Sequence, residues 1–181
     1  MQLSVMNKLY DGRTENDWND ELIPQERWMR RHALSAFSML EVPDTFLDVG
    51  CGTGIVVKTV RSLGSSGFGI DQLVNPDIDE ESIYTIFVHA NLVDKFSLLK
   101  PVNMVWCTEV AEHLDASAHA TLCDTCADNL KEGRGNYLVF SSAYPGQGGN
   151  GHISERPAGY WKDQFAKRDR DWETHHDHRF Q

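Results

Sequence analysis

The sequence predicts an α/β fold: a doubly wound parallel sheet of about five strands, helices on both faces, and a shortened C-terminal end. Three observations predict it. Short, almost wholly apolar runs alternate with runs of helical period, the pattern of buried parallel strands joined by right-handed crossovers. The first apolar run, Thr45–Val49, passes directly into glycines at alternate positions, Gly50, Gly52 and Gly54. The second, residues 67–70, ends on an isolated acid, Asp71. A strand, a turn without side chains, a helix and a second strand ending in a carboxylate suit a nucleoside-like ligand, with the acid set to accept from both ribose hydroxyls.

Taken in order, residues 1–22 are polar and irregular and are expected to form a partly ordered leader over the ligand site. Pro24 is placed to open a helix whose apolar face carries Met29, Ala33, Ala36, Phe37 and Leu40, with Pro43 ending it. After the first strand, residues 55–63 read as a helix stopped by Gly64. Residues 75–82 are acidic and loop-like, and residues 83–88 give a third strand. Residues 102–107 give a fourth. Asp115 is expected to cap a helix over residues 116–132, closed by Gly133, and residues 136–140 form a fifth strand. The glycine turn, Asp71, Asn91, Glu109 and Ser141 all follow strand ends, so one edge of the sheet gathers the polar features, where ligands of such sheets bind. The glycine- and proline-rich stretch after the fifth strand is long for a connection, which points to a lid or substrate loop carrying His152. Pro157 opens a last helix with Tyr160, Trp161 and Phe165 on its apolar face.

The chain has 181 residues, enough for one domain with its own core. Lys and Arg number 17 against 27 Asp and Glu, a net charge of −10, which repels phosphate backbones and disfavours a nucleic-acid partner. The mixed segment 162–170 reads as a solvated helix face. No run has the length of a membrane span and the start does not resemble a signal peptide, so a cytoplasmic location is the expectation. Cys123 and Cys126 form a C-x-x-C, but Ala118, Leu122, Cys126 and Leu130 recur every four residues, which places the pair as small core residues of an amphipathic helix. His175, His176 and His178 fall in a tail. No metal site is expected.

A dinucleotide needs G-x-G-x-x-G so that a helix N-terminus faces a pyrophosphate. Here the turn is G-x-G-x-G, and Asp48 precedes it by two residues, an acid that opposes a phosphate and suits a cationic ligand. S-adenosylmethionine carries a ribose, an adenine, an ammonium and a sulfonium, and fits. Asp48-Val-Gly-Cys-Gly-Thr-Gly resembles the first motif of the class I S-adenosylmethionine-dependent methyltransferases, and Asp71 is similar to their ribose-binding acid. The segment 104–114, with Glu109-Val-Ala-Glu-His-Leu114, resembles the fourth-strand motif of the subgroup reading Glu-Val-x-Glu-His-Leu. The likeness covers residues 45–140, and the fold it implies is Rossmann-like.

That resemblance implies that Asp48, Gly50, Cys51, Gly52, Thr53 and Gly54 flank the methionine part of the cofactor. It implies that Asp71 holds the ribose, that Gln72, Asn91 and Leu92 border the adenine, and that Thr108 and Glu109 line the methyl-donor end. Glu109, His113 and His152 are the candidates to orient the acceptor or take its proton. Such folds usually finish with an antiparallel hairpin beside strand five, and no strand pattern follows Phe140. A bare strand-five edge invites a homodimer or another partner. The expected layout is one methyltransferase domain over residues 1–181, with a leader at 1–22, a cofactor-binding core at 45–140, a lid loop at 141–160 and a C-terminal helix and tail at 161–181. Methyl transfer to a small-molecule or sugar-like acceptor is the expected activity. A cofactor-binding subunit that is inactive without a partner, and an NAD(P)-dependent oxidoreductase, are the alternatives.

Overall fold

The computed structural model describes residues 15–72, 87–168, 170 and 172, without the side chains of residues 15–25 and 27. The expected leader before Glu15, the acidic loop 75–82, residues 83–86 of the third strand and the three tail histidines lie outside the described residues.

Five strands form one parallel sheet: β1 (Thr45–Val49), β2 (Ser66–Asp71), β3 (Phe87–His89), β4 (Met104–Cys107) and β5 (Tyr137–Phe140), in the order β3-β2-β1-β4-β5. Every described pairing is parallel, and Phe46 lies opposite Gly67 on one side and Met104 on the other. The chain leaves β1 toward β2 and returns to β4 on the other flank. The carboxyl end of β1 is therefore a switch point, where two crossovers diverge and leave a crevice.

Helix α1 (Glu15–Leu40) and helix α2 (Ile55–Ser62) cover one face. Helix α3 (His119–Asn129) and helix α4 (Ala158–Ala166) cover the other. Side-chain alternation along the strands decides this. Phe46, Met104 and Trp106 pack with Ala33, Phe37, Val57 and Val60, whereas Leu47, Val105 and Cys107 pack with Leu122, Cys126, Trp161 and Phe165. Phe37, Phe46 and Trp106 meet ring to ring at 6.0–6.5 Å between centroids. The doubly wound sheet is the one expected.

Four local expectations need correction. Helix α1 begins at Glu15, not at Pro24, so from there on the leader is helical. Glu41, at φ 65°, takes the left-handed conformation that stops α1 two residues before Pro43. Asp115 caps a short 3-10 turn (Ala116–Ala118) through Ser117 N at 2.9 Å, and the α-helix proper ends at Asn129. It ends early because Leu130 leaves to bridge Val102, a long-range pairing that also keeps Val102 outside β4. Finally, the segment after α4 is not simply a solvated face. Arg168 donates to Asp124 Oδ1 at 2.8 Å and to the carbonyls of Ala120 and Gln164, and Arg170 donates to the carbonyl of Leu130. These arginines fasten the C-terminal segment to α3.

Cys123 and Cys126 are buried free thiols on α3, as expected of core residues. No strand lies beyond β5 among the described residues. No helix among them is long and apolar enough to cross a membrane.

Candidate active site

The turn after β1 is held largely by backbone bonds. The amides of Gly50 and Cys51 both donate to the carbonyl of Ile70, at 2.8 and 3.1 Å, and Gly54 N donates to Cys51 O at 2.8 Å. Gly50, Gly52 and Gly54 have φ of 81°, 50° and 71°. L side chains rarely adopt these values, which explains three glycines at alternate positions. They differ in what surrounds them. A Cβ on Gly50 would lie 2.4 Å from Val110 Cγ2, so this glycine lets the fourth-strand exit pack on the turn. A Cβ on Gly52 would meet nothing within 4 Å, so this glycine borders open space. Into that space Asp71 Oδ2 reaches back to accept from Gly52 N at 2.8 Å. The end of β2 and the tip of the turn are thus one unit.

Asp48 is buried near the carboxyl end of β1. Burial, and then the neighbouring Asp71 carboxylate, push its pKa well up. Burial likewise pushes the Cys51 thiol up, which makes it a packing group against Gly69 and not a nucleophile. Gln72 is half-buried at the end of β2. Asn91 sits past β3, where its amide oxygen accepts from Val93 N at 3.3 Å, leaving one lone pair for a ligand. Leu92 is buried in the core behind it. Thr53 is half-buried in the turn, and Thr108 Oγ1 accepts from Trp106 Nε1 at 2.7 Å.

The exit of β4 is the second half of the site. Glu109 has φ 57°, a strained value for a side-chain-bearing residue. It is held by a reciprocal pair: Ser141 Oγ donates to Glu109 Oε1 at 2.9 Å, and Glu109 N donates to Ser141 Oγ at 3.2 Å. The structural partner of Glu109 is therefore Ser141, just past the end of β5. A 3-10 turn (Ala111–His113) follows. The long loop folds back on it, with Ile153 N and Ser154 N donating to Glu112 O at 2.9 and 3.1 Å and His113 Nδ1 lying 3.2 Å from Gly151 O. His113 and His152 stack edge to face with centroids 5.0 Å apart. Burial lowers the pKa of His113.

Two residues that sequence reading passed over belong here. Glu112 is wholly buried, and neither carboxylate oxygen has a hydrogen bond among the described residues. Burial raises its pKa; the amides of Glu112 and Ala143 face the carboxylate outside hydrogen-bond geometry and, with His152, offset this only in part. Glu155 organises the loop, accepting from Gly146 N and Gly148 N at 2.7 Å each. Its signal in the sequence was faint: an acid three residues after the loop histidine.

A methyltransferase domain family matches residues 23–178. Over 61 residues the chain is 30% identical to a probable tRNA (uracil-O(2)-)-methyltransferase of Caenorhabditis elegans, covering 30% of this chain and 11% of that protein. The match therefore spans about a tenth of that relative's length. Among solved structures, the fold is similar to a SAM-dependent methyltransferase from Archaeoglobus fulgidus (TM-score 0.59, 18% identity, 80% of this chain and 70% of that one). It is also similar to the Burkholderia thailandensis 1,6-didemethyltoxoflavin-N1-methyltransferase, solved with its substrate and S-adenosylhomocysteine (TM-score 0.68, 14% identity, 91% of this chain and 76% of that one). With a family match over most of its length, and with the glycine turn and sheet order of that fold, the chain belongs to the methyltransferase domain family, in the class I group that uses S-adenosylmethionine.

Proposed function

We propose that this chain transfers the methyl group of S-adenosylmethionine to a small-molecule or sugar-like acceptor held between the glycine turn and the loop of residues 141–157. The cofactor supplies a methyl activated on sulfur; the protein aligns it, excludes water and positions the acceptor. One observation carries the reading. The loop is tied to the β4 exit through Glu112 O and Gly151 O, which sets His152 beside His113 at the mouth of the switch-point crevice. A compact acceptor fits this reading, because the loop closes over the β4 exit and the net charge of −10 argues against a polyanion. The Burkholderia thailandensis neighbour is named for methylation of 1,6-didemethyltoxoflavin, whereas the partial relative is named as a probable tRNA methyltransferase. Release of S-adenosylhomocysteine is the test, with sugars, phenols, amines, peptides and RNA as acceptors. Turnover on RNA alone overturns the acceptor class. Cofactor binding without turnover on any acceptor, restored by a partner protein, points to the dependent-subunit alternative. The family match leaves the nicotinamide alternative without support.

The residues fit this cofactor in two respects. Gly52 leaves a cradle that a Cβ would fill, and Asp71 already stands at its rim. Gly50→Ala is therefore expected to cost about 2–4 kcal/mol of stability in urea unfolding, from the left-handed φ and the collision with the β-branched Val110. Gly52→Ala is expected to cost only about 1 kcal/mol but to weaken S-adenosylhomocysteine binding at least about tenfold. Equal stability losses for the two variants would refute the assignment of the open space.

Asp48 supplies the second respect. With its pKa raised by burial and by Asp71, the free protein holds this acid protonated at pH values where an ordinary carboxylate is charged. A raised folded pKa also means that this group's contribution to stability is lost as pH rises through that value. The ammonium and sulfonium of the cofactor favour the carboxylate, so binding expels a proton. Affinity is then expected to rise with pH between the ordinary carboxylate range and the raised pKa, by up to about tenfold per unit. Calorimetry in two buffers of different ionisation heat measures the released proton, and no release in the native protein removes Asp48 from the site.

The backbone of β5 ends the sheet with only β4 beside it among the described residues. We infer that another chain, a second copy first of all, pairs at this edge. Light scattering at micromolar concentration is expected to give a dimer mass; a monomer mass would exclude it.

A further inference from the structure

We propose that Glu112, His113 and His152 form a divalent-cation site at the exit of β4. The proposal rests on the methyltransferase reading only for what the cation does, not for its binding. One ligand atom from each residue lies within 4.8 Å of the others, a span that a single ion closes with small side-chain shifts. Glu112 is the decisive group. A wholly buried carboxylate with no hydrogen bond on either oxygen among the described residues is costly unless a cation faces it, and the backbone amides of Glu112 and Ala143 offset that cost only in part. The basic side chain beside it, His152 Nε2, stands 4.0 Å from Glu112 Oε1, too far for a hydrogen bond.

The two imidazoles are oriented as ligands. His113 Nδ1 lies 3.2 Å from the carbonyl of Gly151, and a carbonyl only accepts, so Nδ1 carries the proton and Nε2 is left with a lone pair. His152 Nδ1 lies 3.4 Å from Glu155 Oε1, so the same holds for its Nε2, which points toward Glu112. A carboxylate or carbonyl behind each histidine is the usual outer arrangement of a metal-binding imidazole, because it fixes the ring and raises its basicity. Glu155 is itself pinned by Gly146 N and Gly148 N, so the loop's glycines serve to hold His152. Gly149 adds to this: a Cβ there would fall 2.3 Å from the His152 ring.

Two nitrogens and one carboxylate oxygen suit a borderline divalent ion such as zinc, manganese, iron or cobalt, and three protein ligands leave coordination positions open. The site would therefore take an acceptor oxygen, which narrows the acceptor to a hydroxyl compound. Bound to the ion, the hydroxyl loses its proton to solvent at neutral pH. The oxygen lone pair then forms the new C–O bond as the C–S bond breaks; its electrons go to sulfur and S-adenosylhomocysteine leaves.

The test uses the full chain stripped with a chelator, titrated with Co2+ alone and followed by its visible d–d absorption, with S-adenosylhomocysteine calorimetry in parallel. One saturable Co2+ site is expected, at least about tenfold weaker in Glu112→Gln and in His152→Asn, with S-adenosylhomocysteine affinity unchanged in both. His152→Asn lies on the surface loop and keeps the measurement valid if Glu112→Gln fails to fold. No saturable spectrum up to millimolar Co2+ overturns the proposal, as does binding undiminished in the folded variants, which would place the ion elsewhere. Loss of S-adenosylhomocysteine binding in the native chain would instead overturn the cofactor reading and leave the cobalt result standing.

Discussion

Replacing Asp71 by alanine is expected to abolish S-adenosylhomocysteine binding while the chain stays folded. Asp71 ends β2 at the edge of the sheet, half-buried, with its carboxylate turned onto the glycine turn. Its backbone carbonyl accepts from Ala90 N at 2.9 Å, so the main chain keeps its ladder when the side chain is removed. In the proposed complex the carboxylate accepts from two ribose hydroxyls. Hydrogen bonds to a charged group contribute about 1.5–3 kcal/mol each, so losing the pair costs roughly 3–6 kcal/mol, or more than about a hundredfold in affinity. Stability should fall only modestly, because the lost bond to Gly52 N lies at an exposed position where water can take the place of the carboxylate. Calorimetry and urea unfolding on the same preparation separate the two effects. An affinity within threefold of the native chain would remove the ribose assignment.

The legible part of this protein was the part written in consecutive residues. Strand, turn, helix, strand and acid follow one another from Thr45 to Asp71, and each choice in that stretch answers a local steric or electrostatic demand. Three glycines match three positive φ values, and the acid after β2 reaches the turn that precedes it by one crossover. The apolar period of α3 likewise placed Cys123 and Cys126 in the core. What escaped depends on partners distant in sequence. The end of α3 is set by Val102 on another element, and Arg168 is used by Ala120 and Asp124. Glu112 stands inside a motif that gives it no role, because nothing beside it announces that its carboxylate will be sealed without a hydrogen bond among the described residues. The grouping of Glu112, His113 and His152 arises only when the loop folds back on the 3-10 turn, so no spacing rule for metal ligands could have found it.

Replacing His152 by alanine is expected to lower turnover by about a hundredfold or more while S-adenosylhomocysteine affinity stays within twofold. The cofactor turn and His152 lie on different supports. The turn hangs from β1 and β2, whereas His152 is held by the loop through Glu155 and stacks on His113. In the proposed complex, removing the imidazole therefore leaves the cofactor's contacts in place and takes away a group on the acceptor side. A purely structural histidine would give the opposite pattern, with the loop loosened, stability reduced and kcat nearly intact. Gly149→Ala distinguishes these readings further. It keeps the imidazole but drives a methyl group into it, from a position 2.3 Å from the ring in the native arrangement. If His152 must be in register with Glu112 and His113, this variant loses turnover as well, by a smaller factor, because a displaced ring no longer reaches the acceptor. Full kcat/KM in His152→Ala, on whichever acceptor the product-release panel identifies, would remove this residue from the chemistry and the loop from the site.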